Sequence, residues 1–95
     1  MEVPPGVPVA GPSFADENVR MCNAGVLVRA FHGLRVVKSP SFPDGEEAGR
    51  VGEGVGRICG YFKELENLQV FWEDGECTVW TRAGSHGLDV VTSPR

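Results

Sequence analysis

A short turn signal in the C-terminal third of the chain does most to limit its possible folds. Asp74-Gly75 stands between two runs in which apolar and polar residues alternate. Aspartate followed by glycine suits the two positive-φ positions of a type I′ turn, which joins antiparallel strands through a two-residue loop. The sequence therefore predicts a β-hairpin in which Trp72 lies opposite Cys77.

The register of this hairpin assigns its residues to two faces, because successive side chains of a strand alternate. The residues predicted to face the core are Leu68, Val70, Trp72, Cys77 and Val79. Phe71 and Trp80 fall on the opposite face as diagonal neighbours, beside Gln69 and Arg82. We therefore expect two aromatic rings on the outer face of the hairpin.

The rest of residues 24–95 is predicted to form more short strands. Apolar runs at 26–28, 34–37, 55–62 and 88–91 are separated by glycine, proline and aspartate, and no amphipathic helix is evident. Thirteen glycines and seven prolines in 95 residues suit many tight turns. The expected fold is all-β, a small SH3-like or Tudor-like barrel with one long loop after an early strand.

Residues 1–23 differ from this pattern. The run Val3-Pro4-Pro5-Gly6-Val7-Pro8 cannot hold a helix or a central strand, because proline removes hydrogen-bond donors and fixes φ. We expect a flexible or disordered Pro/Gly-rich arm over 1–23 and a barrel-shaped interaction domain over 24–95.

Charge and length exclude several classes of protein. The chain has a formal net charge of −4, so it lacks the basic surface with which proteins bind nucleic acids. It shows no apolar stretch near the roughly 18 residues of a membrane span, and no signal-peptide pattern. We expect a monomer of the cytosol or nucleus that binds neither nucleic acid nor membrane.

The cysteines give no sign of a metal or a disulfide framework. Cys22, Cys59 and Cys77 are an odd number, which argues against paired disulfides in a secreted protein. Structural zinc sites usually present ligands in close pairs, and neither the cysteines nor His32 and His86 form one. The sequence predicts free thiols and no cofactor.

Four segments, in order, resemble motifs of one family. Residues 33–38 are similar to a G-x-R-V-V-R-G run, 54–58 to a G-x-V-G-x-V strand, 68–75 to a V-x-V-x-W-D-x-G hairpin, and 82–89 to a closing R-x-G-x-x-G-x-x-D-L segment. These motifs belong to the Mind bomb/HERC (MIB) domain of ubiquitin ligases. The resemblance covers about residues 33–91, with the Asp–Leu order of the last motif altered.

The chain departs from that family in the loop after the first strand. The family usually has a W-x-W-G-D-Q-D-G loop there, whereas this chain has 40–49 without tryptophan and with only Phe42 near the first of the two. Residues 70–72 and 79–80 also resemble the CPH domain of cullin-associated ligases, which is a Tudor-like barrel.

Both resemblances imply a non-catalytic module that recognises a peptide segment or a protein partner within a larger ubiquitin ligase. Any catalytic domain would then lie elsewhere in a longer polypeptide. The residues expected to contact the partner are Phe71, Trp80, Arg82, Gln69 and Phe42. The competing interpretation is that Phe71 or Trp80 closes an open end of the barrel beneath the loop 39–54.

Two other functions, reading of methylated residues and catalysis, are alternatives to the recognition of a peptide or protein partner. A reader of methylated lysine or arginine needs two to four rings around a cation with an acid nearby. The available rings are Tyr61, Phe62, Phe71, Trp72 and Trp80, with Glu73 or Asp74 as the acid.

Catalysis is not expected, because the acidic loop residues Asp44, Glu46 and Glu47 and the adjacent pair Ser85-His86 define no fixed geometry.

Overall fold

The computed structural model describes residues 5–11, 28–42, 49–84 and 87–94, all as strands, turns and loops. The strands are β1 Val9–Ala10, β2 Val28–Arg29, β3 Arg35–Lys38, β4 Gly56–Phe62, β5 Asn67–Trp72, β6 Cys77–Gly84, β7 Gly87–Leu88 and β8 Val90–Thr92. Six of them form an antiparallel sheet in the order β7-β6-β5-β4-β3-β8, while β1 and β2 pair in parallel. The all-β expectation is confirmed.

The β5–β6 hairpin forms where the sequence predicts it, but its loop is one residue longer. The Trp72 amide donates to the Glu76 carbonyl at 2.9 Å, and the Gly75 amide donates back to the Trp72 carbonyl at 3.0 Å. Gly75 has a φ of 89°, as the last residue of a three-residue loop requires. The predicted type I′ register is therefore wrong near the turn: Phe71 pairs with Cys77.

Because of this one-residue shift, the side chains of β6 that face the core differ from the predicted ones. Thr78 is buried, whereas Cys77 is exposed and Val79 is half-buried. The Trp72 indole Nε1 donates to the Thr78 hydroxyl at 2.8 Å, so the buried ring keeps a hydrogen-bond partner. The expectation that Cys77 and Val79 share the core face with Trp72 is therefore wrong.

Two β-bulges lie on either side of Gln69. On β6, Val79 and Trp80 together oppose this one residue, and on β4 the pairing skips Cys59 between Ile58 and Gly60. A bulge adds one residue and so reverses the alternation beyond it. Trp80 consequently points outward despite the shift at the turn.

The core is assembled around the Trp72 ring, which is 1% exposed. The buried apolar cluster consists of Val9, Leu34, Val36, Ile58, Leu68, Val70, Trp72, Ala83 and Val90. Gly52 permits close packing here, since a Cβ at this position would lie 2.5 Å from Cγ of Trp72. The strand faces of the main sheet and the N-terminal β1 thus share one core.

Residues 5–11 belong to this domain, which corrects the expectation that all of 1–23 is an arm outside it. Val9 is fully buried, and the Gly6 amide donates to the Thr92 carbonyl at 2.8 Å. The Gly11 amide donates to the Ala83 carbonyl, so the segment links β8 to β6 across the sheet. Proline is tolerated because the segment pairs only intermittently. The remainder of 1–23 lies outside the described residues.

Gly75→Ala is expected to lower the free energy of unfolding by about 1 kcal/mol, because a side chain at positive φ is strained. A Cβ there meets no atom within 4 Å, so the cost is conformational and not steric. Urea unfolding followed by tryptophan fluorescence measures it. The control is Gly49→Ala, also free of contacts and without a positive φ, which we expect to cause no loss. Equal losses in both variants would contradict the three-residue loop.

Candidate functional site

One row of side chains crosses the solvent-facing side of the main sheet, called here the outer face. The register pairs Arg35 with Arg57, Arg57 with Phe71, and Phe71 with Cys77. All four residues are exposed, while the strand neighbours of Phe71 on both sides are buried. Alternation along β3 to β6 therefore places two cations, one ring and one thiol side by side.

A second group sits next to this row, where the two bulges meet. Gln69 is half-buried and opposes the bulge that carries Trp80. Phe71 and Trp80 are each 57% exposed. We call Phe71, Trp80 and Gln69 the outer patch. The structure thus brings together three of the sequence-predicted residues, and both rings face solvent instead of covering the core.

The two arginines of the row border a shallow cleft of about 250 Å³ that is also lined by Val55 and Glu73. The Glu73 carboxylate accepts a hydrogen bond from the Val55 amide at 3.0 Å and is held beside the cleft. In the part of the chain that the structure describes, neither the Arg35 nor the Arg57 guanidinium is ion-paired. The cleft side of the outer face therefore presents two cations against one anion.

Arg82, predicted beside the two rings, is engaged by a buried carboxylate instead. Its backbone amide donates to Oδ2 of Asp89 at 2.9 Å, and its Nη2 lies 3.5 Å from Oδ1 of the same residue. Phe42 is half-buried with the Arg50 guanidinium 4.8 Å from its ring centre. These contacts give both predicted residues a structural role near Asp89.

Asp89 is the residue that sequence reasoning missed. It is 3% exposed, and its carboxylate also accepts from Nε of Arg50 at 3.0 Å. Buried charges are rarely kept without partners, and here the carboxylate joins two arginines from separate parts of the chain. The only signal in the sequence is an aspartate at the end of the closing motif. Its contacts are internal, so we assign it to stability.

Two thiols flank Gln69 on the outer face. The Cys59 thiol donates to the Gln69 carbonyl at 3.5 Å, and the Gln69 side-chain amide donates to Sγ of Cys77 at 3.7 Å. Burial raises the pKa of the Cys59 thiol, and the nearby Cys77 thiol raises it further by like charge and by hydrogen bonding. Both cysteines are free and exposed.

Other predicted chemistry is absent from the described residues or lies outside them. Trp72 is buried, so it cannot supply a ring to a methyl-lysine cage. Asp44, Glu46, Glu47, Ser85, His86 and Cys22 fall outside the described ranges. Within those ranges, no group of three or more histidine, cysteine or acidic side chains could hold a metal ion. Nor does any described segment form an apolar helix long enough to cross a bilayer.

Comparison of the chain with known proteins finds no match among family models, curated proteins or solved structures.

Proposed function

We propose that this chain is a non-catalytic protein-interaction module that holds a peptide segment of a partner on the outer patch. The observation that carries the proposal is the pair of exposed rings, Phe71 and Trp80, on adjacent strands of a firmly paired hairpin. Large aromatic side chains dominate the binding energy of protein interfaces. Because the backbone beneath them is hydrogen-bonded, binding orders few additional groups.

The proposed architecture is a small SH3-like or Tudor-like barrel. Supporting it, residues 6–11 hydrogen-bond to β8 on one side and to Ala83 of β6 on the other, which joins strands that lie four positions apart in the sheet order. With the sequence resemblance to MIB/HERC and CPH domains, this favours a recognition module of a larger ubiquitin ligase in the cytosol or nucleus, acting as a monomer.

The charges of the outer face favour a partner segment with an acidic residue beside a bulky apolar one. Arg35 and Arg57 adjoin Phe71 along the cross-strand row and have no ion-pair partner among the described residues. Guanidinium groups pair readily with carboxylates, especially where water is partly excluded. A methylated lysine would instead approach two like charges, which disfavours the alternative of a methyl-lysine reader.

Phe71→Ser and Trp80→Ser are each expected to weaken peptide binding at least about tenfold, which corresponds to about 1.4 kcal/mol. Random-sequence peptides displayed on phage are selected against the wild-type chain, and the enriched peptides are synthesised with a fluorescent label for anisotropy titration. The control is Leu65→Ser, which removes an equally exposed apolar side chain (55%) from the β4–β5 turn. Binding that survives both ring substitutions, or falls equally with Leu65→Ser, would reject the outer patch.

The double variant Arg35→Gln/Arg57→Gln tests the acidic preference separately. We expect the wild type to enrich aspartate or glutamate near an apolar residue, and the double variant to lose that enrichment while still requiring Phe71. Lysine- and trimethyllysine-containing peptides and a labelled oligodeoxythymidylate serve as comparison ligands. Tighter binding of any of these than of the acidic peptides would overturn the assignment of the partner's chemistry.

A further inference from the structure

A second cavity of the outer face lies beside the two arginines. Its volume is about 390 Å³, and its apolar walls are two valines and three prolines: Val37, Val91, Pro5, Pro40 and Pro94. Val37 and Val91 pair across β3 and β8. The residues before them, Val36 and Val90, belong to the buried core cluster, so alternation turns the valine pair to the outer face. We call this cavity the proline pocket.

The proline pocket is formed by side chains that have little freedom to lose. Proline has no side-chain rotamer entropy, and branching at Cβ restricts valine to few rotamers. Val91 is 7% exposed, and backbone hydrogen bonds join its neighbour Thr92 to Gly6 and Val7. Preformed apolar cavities of roughly 300–1,000 Å³ are typical of binding sites. An apolar side chain that enters this pocket therefore orders few further groups.

The proline pocket and the outer patch are connected by the two arginines. Val37 lies two residues after Arg35 on β3, so both side chains are on the same face. The cross-strand row then continues from Arg35 through Arg57 to Phe71. With strands about 4.8 Å apart and alternate residues about 6.8 Å apart along a strand, the middle of the valine pair lies about 14 Å from Phe71. An extended peptide covers this distance in about four residues.

Building on the proposed peptide site, we propose that the proline pocket binds a second apolar side chain of the same partner segment. This residue lies about four positions in sequence from the residue that contacts Phe71. The acidic residue of the segment lies between the two, on Arg35 and Arg57.

The charges along this path favour an acidic segment as the occupant. Among the described residues, the arginine cleft and the proline pocket are lined by three cations, Arg35, Arg57 and Lys38, and by one acid, Glu73. Complementary charges select the partner and fix its register, while apolar side chains in pockets supply most of the binding energy. An extended segment with a bulky apolar residue on each side of an acidic one satisfies both conditions.

The test uses random dodecapeptides displayed on phage and selected against the full-length chain. We expect peptides that require Phe71 to carry two bulky apolar residues about four positions apart, with aspartate or glutamate between them. Each enriched peptide is synthesised with a fluorescent label, and alanine replaces each apolar residue in turn. Each replacement should weaken binding to the wild type at least about tenfold in anisotropy titrations.

Val37→Ser identifies the residue that occupies the proline pocket, because it removes both methyl groups of that wall. In this variant, alanine at one of the two apolar positions should weaken binding less than about threefold, since two substitutions are strongly coupled only where the residues touch. The other position should keep its tenfold effect in Val37→Ser and lose it in Phe71→Ser. Leu65→Ser is the control and should leave both effects unchanged. Circular dichroism verifies that each variant is folded.

NMR of the wild type supplies a readout that needs no variant. Intermolecular nuclear Overhauser effects should connect one apolar residue of the peptide to the methyl groups of Val37 and Val91. Peptides that require Phe71 but lack a second apolar residue, or show no coupling with Val37, would overturn the proline pocket and leave the outer patch as the site. Absence of any peptide that requires Phe71 would reject the proposed function, and this inference with it. Sedimentation of a dimer that Val37→Ser dissociates would assign the pocket to a second copy of the chain and overturn the proposal.

Discussion

Trp72→Ala is expected to lower the free energy of unfolding by about 3–5 kcal/mol. The indole is 1% exposed and packs at the centre of the core, and its Nε1 supplies a hydrogen bond to the buried Thr78 hydroxyl. Since domains are typically stable by only about 5–15 kcal/mol, this loss removes between about a fifth and nearly all of the free energy of unfolding. Thermal and urea unfolding monitored by far-UV circular dichroism measures the loss.

The matched control is Trp80→Ala, which removes the same side chain from the same hairpin. Trp80 is 57% exposed, so we expect a loss below about 1 kcal/mol. This contrast separates the two tryptophans into a core residue and a surface residue. Similar losses from both substitutions would show that the bulge on β6 does not turn Trp80 outward.

Asp89→Ala is expected to cost about 3–5 kcal/mol, as is typical when one partner of a buried ion pair is removed. The carboxylate is 3% exposed and its partner Arg50 is 5% exposed, so the variant removes a carboxylate that lies 3.0 Å from a buried guanidinium nitrogen. Urea unfolding provides the measurement. Glu64→Ala, at an exposed turn position, is the control and should leave stability within about 0.5 kcal/mol of wild type.

A double replacement distinguishes the loss of the ion pair from loss of packing. Arg50→Met combined with Asp89→Leu removes both charges and should regain part of the stability lost in Asp89→Ala. If the double variant is no more stable than Asp89→Ala, the buried charge of Arg50 is not the cause of the loss.

The hairpin shows what a turn motif can and cannot specify. Asp74-Gly75 correctly indicates a reversal between two strands, but the same dipeptide fits a two-residue type I′ loop and a three-residue loop with glycine last. The three-residue loop is accompanied by side-chain contacts outside the turn: the Trp72–Thr78 hydrogen bond within the hairpin, and a hydrogen bond from the Val55 amide, 18 positions away, to the Glu73 carboxylate. Local sequence therefore predicts the turn, and tertiary packing decides the register.

The sequence predicts that both rings of the outer patch face solvent, but simple alternation explains this orientation only for Phe71. Phe71 is outward by simple alternation along β5, whereas Trp80 is outward only because a bulge cancels the shift at the turn. Bulges leave little trace in a single sequence, so this compensation could not be foreseen. The same alternation predicts Arg82 beside the two rings, but its side chain contacts the buried Asp89 carboxylate, and no local sequence pattern indicates that contact.

The packing of part of residues 5–11 into the core illustrates another limit of local rules. Proline correctly excludes a central strand, yet Val7 and Val9 between the prolines are buried. A segment with few ladder hydrogen bonds can still contribute apolar surface to a core. Turn and proline signals therefore predict backbone form better than they predict membership of a domain.

The contacts between Val7 and Thr92, 85 positions apart, also shape the kinetics of assembly. The Val7 amide donates to the Thr92 hydroxyl at 2.9 Å, and the Thr92 amide donates to the Val7 carbonyl at 2.8 Å. Contacts between residues so far apart in sequence raise the contact order of the fold. Closing so large a loop costs conformational entropy before these contacts form, and this cost slows folding. During synthesis, β1 cannot contact β8 until β8 has emerged from the ribosome. Until then the apolar residues of β1 stay accessible to chaperones.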